Sequence, residues 1–75
     1  MIKTEIPIQD QFLNRIRRDR NRVIVELTTG RKMEGVIIGF DNFSLILRGE
    51  IDTLVYKHGI CSITPGVKLE FLEAK

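Results

Sequence analysis

The sequence predicts a small, mainly β domain, an N-terminal α-helix followed by a five-stranded, strongly bent antiparallel barrel. Three observations carry that prediction. Apolar residues recur at helical spacing only near the N-terminus. After Arg22 the period falls to two. From there on, short apolar runs are separated by pairs of turn residues.

The helix comes first. Ile8, Phe12, Leu13 and Ile16 share one face at helical spacing. Pro7 suits a first turn, where its missing N–H would be unpaired anyway. Asp10 near the start and arginines near the end both complement the helix dipole. The spacing predicts a helix over about 8–20.

Val23, Val25 and Leu27 then alternate with Ile24, Glu26 and Thr28, a strand pattern closed by a turn at Thr29-Gly30. A second strand runs from Lys32 to Phe40, with Gly35 and Gly39 inside it marking sharp bends or close backbone approach. Asp41-Asn42 is a turn pair. The third strand is Phe43 to Arg48; Phe43 alternates with Leu45 and Leu47 and on that ground alone reads as core. Gly49-Glu50 turns again. A fourth strand runs from Ile51 or Asp52 to Lys57, and a fifth from Ile60 to Thr64, stopped by Pro65-Gly66. Residues 1–66 form the domain; 67–75 are a short mixed tail.

At 75 residues the chain makes one domain. Domains of this size bury only about 60% of the surface they expose unfolded, so a monomer is marginal. Cys61 is the single cysteine, which excludes an internal disulfide. His58 and Cys61 are the only soft metal ligands, short of the four a structural zinc takes, so neither metal nor cofactor is expected. Oligomerisation is the remaining route to stability. No apolar stretch approaches the roughly 20 residues of a membrane span, and Met1-Ile2-Lys3-Thr4-Glu5 does not open a secretory signal. A cytoplasmic protein is the expectation.

The net charge is only +2, but it is unevenly placed. Arg15, Arg17, Arg18, Arg20 and Arg22 crowd the end of the helix against one acid, Asp19. Such a run is either a solvated face or a nucleic-acid contact. The only tyrosine and the only histidine stand together in Tyr56-Lys57-His58. An aromatic ring, a cation and an imidazole delivered to one strand end suit a nucleobase and its phosphate. Alternation places Tyr56 and His58 on one side and Lys57 on the other. The same geometry keeps His58 and Cys61 on opposite sides, and nothing orients the imidazole, so no enzyme is expected.

These pieces, in order, resemble the bacterial Sm-like RNA chaperones of the Hfq family. The match runs from about Gln9 to Pro65. It consists of Gln9-Asp10, Phe12-Leu13-Asn14, the arginine cluster, the turn at Gly30, Gly35, Phe40-Asp41-Asn42-Phe43 and Tyr56-Lys57-His58. The resemblance implies an Sm-like (SH3-like) barrel. It also implies a homohexameric ring in which the fourth strand of one subunit pairs with the fifth of the next. Function would be annealing of small regulatory RNAs to messenger RNAs.

It further implies three RNA-contacting regions. Gln9, Asn42, Phe43, Tyr56, Lys57 and His58 would form a proximal face for uridine-rich strands, with Tyr56 also serving the barrel or the subunit seam. Asn14, Arg17, Arg18 and Arg20 would form the outer rim. Gly30, Arg31, Lys32, Met33, Glu34 and Ser62 fall where a distal face binds adenosine-rich RNA. There the chain departs from the family: Glu26 stands where many members carry an aromatic residue, Arg31 where an apolar one is usual and Glu34 where glutamine is common. The partners expected are single-stranded RNA and further copies of the chain, with no membrane and no small-molecule substrate. The alternative reading is a small-barrel protein-interaction module without RNA.

Overall fold

The helix begins where proline allows it. α1 (Ile8–Arg18) follows directly on Pro7, whose φ is −54°. Leu13 and Ile16 are fully buried, and Phe12 packs at the margin. Ile8, expected on the docked face, stands exposed at the helix start. These observations come from a computed structural model that describes residues 7–66. The readings made on Met1–Glu5 and on 67–75 lie outside the described residues.

α1 ends two residues before the expected limit, and its cap explains why. Arg20 turns left-handed at φ 57°. The Arg20 N–H then donates to the Arg17 carbonyl at 3.2 Å, and the Asn21 N–H to the Ile16 carbonyl at 3.1 Å. This paired closure satisfies the last helical carbonyls and redirects the chain. It normally uses glycine; here arginine occupies the position, which no glycine in the sequence announces.

Five strands follow: β1 (Arg22–Leu27), β2 (Lys32–Phe40), β3 (Ser44–Arg48), β4 (Asp52–Tyr56) and β5 (Ile60–Pro65). They form one antiparallel sheet in the order β4-β3-β2-β1-β5. The inward residues of the alternating strands, Val23, Val25, Ile37, Leu45, Leu47 and Val55, join Leu13 and Ile16 in the core. Two register shifts curl the sheet, one between Glu26 and Leu27 and one between Ile37 and Gly39.

The two interior glycines of β2 therefore differ. Gly39 lies at the bulge. Gly35 lies under the next strand, where a Cβ would overlap the Arg48 carbonyl. The β1–β2 turn needs Gly30, whose φ is 91°; its N–H donates to the Leu27 carbonyl at 2.8 Å.

β4 and β5 are the two edges of the sheet and do not pair with each other. The barrel is thus bent but open among the described residues. Two strand limits also shift. Phe43 precedes β3 and is 75% exposed, so its alternation with the core leucines is misleading. β4 stops at Tyr56, and Lys57–Gly59 form one 3-10 turn rather than a strand end.

Candidate nucleic-acid interface

A single carboxylate builds the turn that presents Phe43. Asp41 Oδ1 accepts hydrogen bonds from the Phe43 N–H (2.9 Å), the Ser44 N–H (2.9 Å) and the Ser44 hydroxyl (3.1 Å). Those bonds, the Phe43 N–H first, hold the Asp41 carboxyl below its ordinary range. The Lys57 N–H donates to the Phe43 carbonyl at 2.8 Å. The Asn42-Phe43 turn and the Lys57–Gly59 turn are thereby fixed to one another.

Lys57 then leads into the molecule. It lines a cavity of about 300 Å³ with Gln9, Phe12, Leu45, Ile60 and Ser62. Its Nζ is buried and makes no hydrogen bond among the described residues. It stands 5.3 Å from the centre of the Phe40 ring. Burying an ammonium without an acceptor is unfavourable. An acceptor-bearing planar ligand entering the cavity would meet the amide of Gln9, the ammonium of Lys57 and an apolar wall.

Tyr56 and His58 lie on the other side of the turn. Their rings are stacked with centroids 6.0 Å apart, and both line a separate depression with Leu27, Arg31, Met33 and Leu54. The expectation that they share a side opposite Lys57 holds, but through a 3-10 turn instead of strand alternation. Cys61 lines the Lys57 cavity, so it faces away from His58. It is exposed rather than packed in the barrel.

The arginine cluster forms the second region. The Arg17 guanidinium donates to Asn14 Oδ1 at 3.1 Å and stands 5.7 Å from the Phe40 ring centre. Arg17, Arg18, Arg20 and Arg48 line one depression together with Val36, Ile37 and Ile38. Asp19 tempers this charge: it pairs with Arg15 at 2.8 Å and Arg18 at 3.5 Å. The Arg15 hydrogen bond, ahead of other influences, lowers its carboxyl pKa. Arg48 is held by a two-point fork to Asp52, at 2.8 and 2.9 Å.

The third region is more nearly balanced in charge. Register puts Glu26 directly opposite Lys32 on one side and Ser62 on the other. The three form one row across β2, β1 and β5 with a carboxylate in the middle. Arg22 and Glu34 pair on the same face at 3.4 Å. Arg31, Lys32, Met33 and Glu34 border a depression near Gly49 and Ile51 from which Ser62 is absent.

The sequence reading missed Phe40, Asp41 as a scaffold, and Arg48. A signal existed for two of them. Aspartate three residues before a serine, at a turn, suits a side-chain cap, and Arg48 and Asp52 flank a Gly-containing turn with opposite charges. Nothing in the spacing marks Phe40 as the ring beneath two cations.

Comparison with known proteins identifies this arrangement. The family model described as "Hfq protein" matches residues 8–70. The chain belongs to the Hfq family. The RNA-binding protein Hfq of Granulibacter bethesdensis is 44% identical over 68 residues, covering 89% of this chain and 73% of that one. The RNA-binding protein Hfq of Pelotomaculum thermopropionicum is 42% identical over 78 residues, covering 100% and 94%.

A crystal structure of the pleiotropic translational regulator Hfq superposes with a TM-score of 0.76 at 32% identity, covering 77% of this chain and 98% of that one. An Hfq protein from Anabaena sp. shares the fold at TM-score 0.72 and 19% identity, covering 76% and 93%. The N-terminal helix on a bent five-stranded antiparallel sheet is the Sm-like fold of these Hfq structures. No described helix is long and apolar enough to cross a membrane. Among the described residues no His, Cys, Asp and Glu side chains gather into a metal site.

Proposed function

We propose that this protein is a cytoplasmic RNA chaperone that acts as a homohexameric ring. It binds uridine-rich single-stranded RNA at the Lys57 cavity and promotes pairing of small regulatory RNAs with messenger RNAs. Its relatives are named RNA-binding proteins. The observation that carries the site is the buried Lys57 Nζ, without a hydrogen-bond acceptor among the described residues, sharing a cavity with Gln9.

In this reading Gln9 and Lys57 hydrogen-bond the base edge. Phe43, exposed beside Asn42 and fixed to Lys57 through its carbonyl, offers a stacking surface. Such stacking is worth roughly 1–3 kcal/mol per base. His58, exposed next to Tyr56, reaches phosphate or a ribose hydroxyl, and Tyr56 serves the subunit seam. Asn14, Arg17, Arg18 and Arg20 take phosphates at the rim, where guanidinium forks also stack on bases. The protein contributes no bond-making chemistry. It concentrates two strands on one ring and screens their mutual repulsion.

Two sheet edges left open among the described residues support the ring, since β4 of one copy can pair with β5 of the next. Gly30, Arg31, Lys32, Met33, Glu34 and Ser62 make up a weaker face for adenosine-rich RNA, handicapped by Glu26. The test is titration of a short uridine-rich strand against Lys57→Ala. Affinity should fall at least about tenfold, the loss of one charge-assisted contact per subunit, with the particle mass unchanged. Unaltered affinity in an intact ring removes the proximal assignment.

A further inference from the structure

We propose that Phe40 is a positioning residue shared by two of the RNA-contacting regions, holding Lys57 of the cavity and Arg17 of the rim on one ring. The proposal rests on the RNA-binding reading above. Phe40 closes β2 just after its bulge and packs against the core, so its ring is fixed from below. Lys57 Nζ lies 5.3 Å and the Arg17 guanidinium carbon 5.7 Å from the ring centroid. Both are within the roughly 6 Å at which the negative face of an aromatic ring attracts a cation.

The two cations depend on the ring to different degrees. Arg17 has a further hold in Asn14. Lys57 Nζ makes no hydrogen bond among the described residues. The neighbouring acid, Asp41, attracts Lys57 electrostatically but turns its Oδ1 to Phe43 and Ser44. The Phe40 ring is therefore what steers the ammonium in the cavity. Lysine and arginine are long, rotamer-rich side chains, and fixing them before ligand arrives lowers the ordering cost of binding. One partly buried apolar residue thus supports both the uridine site and the annealing rim. It also ties the rim to the cavity physically: α1, the end of β2 and the Lys57–Gly59 turn meet at this ring.

The test keeps the shape of the ring and changes its charge distribution. The full chain is prepared with 3,4,5-trifluorophenylalanine in place of Phe40, beside Phe40→Leu and Phe40→Tyr. Two readouts are taken: affinity for a short uridine-rich strand, and the rate of annealing of two complementary strands. The fluorinated ring and Phe40→Leu should weaken each by roughly three- to tenfold, the scale of one cation–ring contact. Phe40→Tyr should stay near wild type.

The ring effect on strand affinity should vanish in a Lys57→Met background. Its effect on annealing should vanish in an Arg17→Leu background but persist in Arg20→Gln. A folded fluorinated protein with either readout unchanged overturns the sharing. So does a ring effect undiminished by Lys57→Met. If Lys57→Met itself leaves strand affinity intact, the RNA-binding reading of the cavity fails. If it weakens binding while fluorination does not, only the role of Phe40 fails.

Discussion

An ammonium held out of water without an acceptor costs the fold free energy that a ligand can recover. Among the described residues Lys57 is in that position, which separates its contribution to stability from its contribution to binding. Lys57→Met keeps the length and apolar stem. Thermal unfolding should show stability unchanged or raised by up to about 2 kcal/mol, while the uridine-rich strand is lost. A large destabilisation would mean the lysine is structural.

Glu26 makes the opposite case. It lies between Lys32 and Ser62 on the face we propose for adenosine-rich RNA, and a carboxylate neither stacks nor tolerates phosphate. Glu26→Tyr should tighten an adenosine-rich strand by roughly tenfold; weaker binding would show that the glutamate helps.

Asp41 carries the pH dependence of the proximal turn. Its folded pKa is lowered by the Phe43 and Ser44 hydrogen bonds, so its stabilisation is fully present above the unfolded carboxylate value near 3.9. That stabilisation fades as pH falls through the lower folded value. Wild type should therefore exceed Asp41→Ala by a constant margin from pH 7 down to about 5, and the gap should close in stronger acid. Melting temperatures across that range check it; a gap that widens below pH 4 contradicts the hydrogen-bonded turn.

At the scale of elements, Arg20 is the residue out of place. A left-handed non-glycine residue costs roughly 1 kcal/mol, yet arginine sits where the helix cap favours glycine. Arg20→Gly should raise stability by about that amount and slow strand annealing at the rim. If annealing is unaffected, the strain has no functional counterpart.

The same cap shows what was legible in the sequence and what was not. Period 3.6 then period 2 located α1 and all five strands, because one face of each must be buried. The end of α1 falls two residues short of the periodicity because no glycine marks the left-handed cap at Arg20. Lys57 reads as the end of β4 because its alternation with Val55 and Tyr56 runs on without a breaker, whereas it opens the 3-10 turn. Phe43 read as core because alternation cannot tell the last turn residue from the first strand residue; only the Asp41 bonds do. Residue types at the site were legible through the family pattern. The ring under Lys57 and Arg17 was not, since it joins residues far apart in the chain.

At the scale of the whole molecule, a single copy leaves much unsatisfied. Among the described residues both sheet edges are open, and Leu54 and Tyr56 on β4 are more than half exposed. Ring closure would pair the edges and cover this surface, supplying the burial that a chain of this size lacks. Six copies of the 8.7 kDa chain give a particle of about 52 kDa with a formal charge near +12. Binding of any RNA to it should weaken steeply as salt rises, because phosphate contacts release counterions.

Native mass spectrometry of the protein mixed with a six-nucleotide oligouridine tests the account most directly, because it reads assembly and binding together. The account predicts one strand on a particle of about 52 kDa, with the strand lost and the particle kept in Lys57→Met. A species under about 20 kDa, or an intact ring that takes no strand, would contradict it.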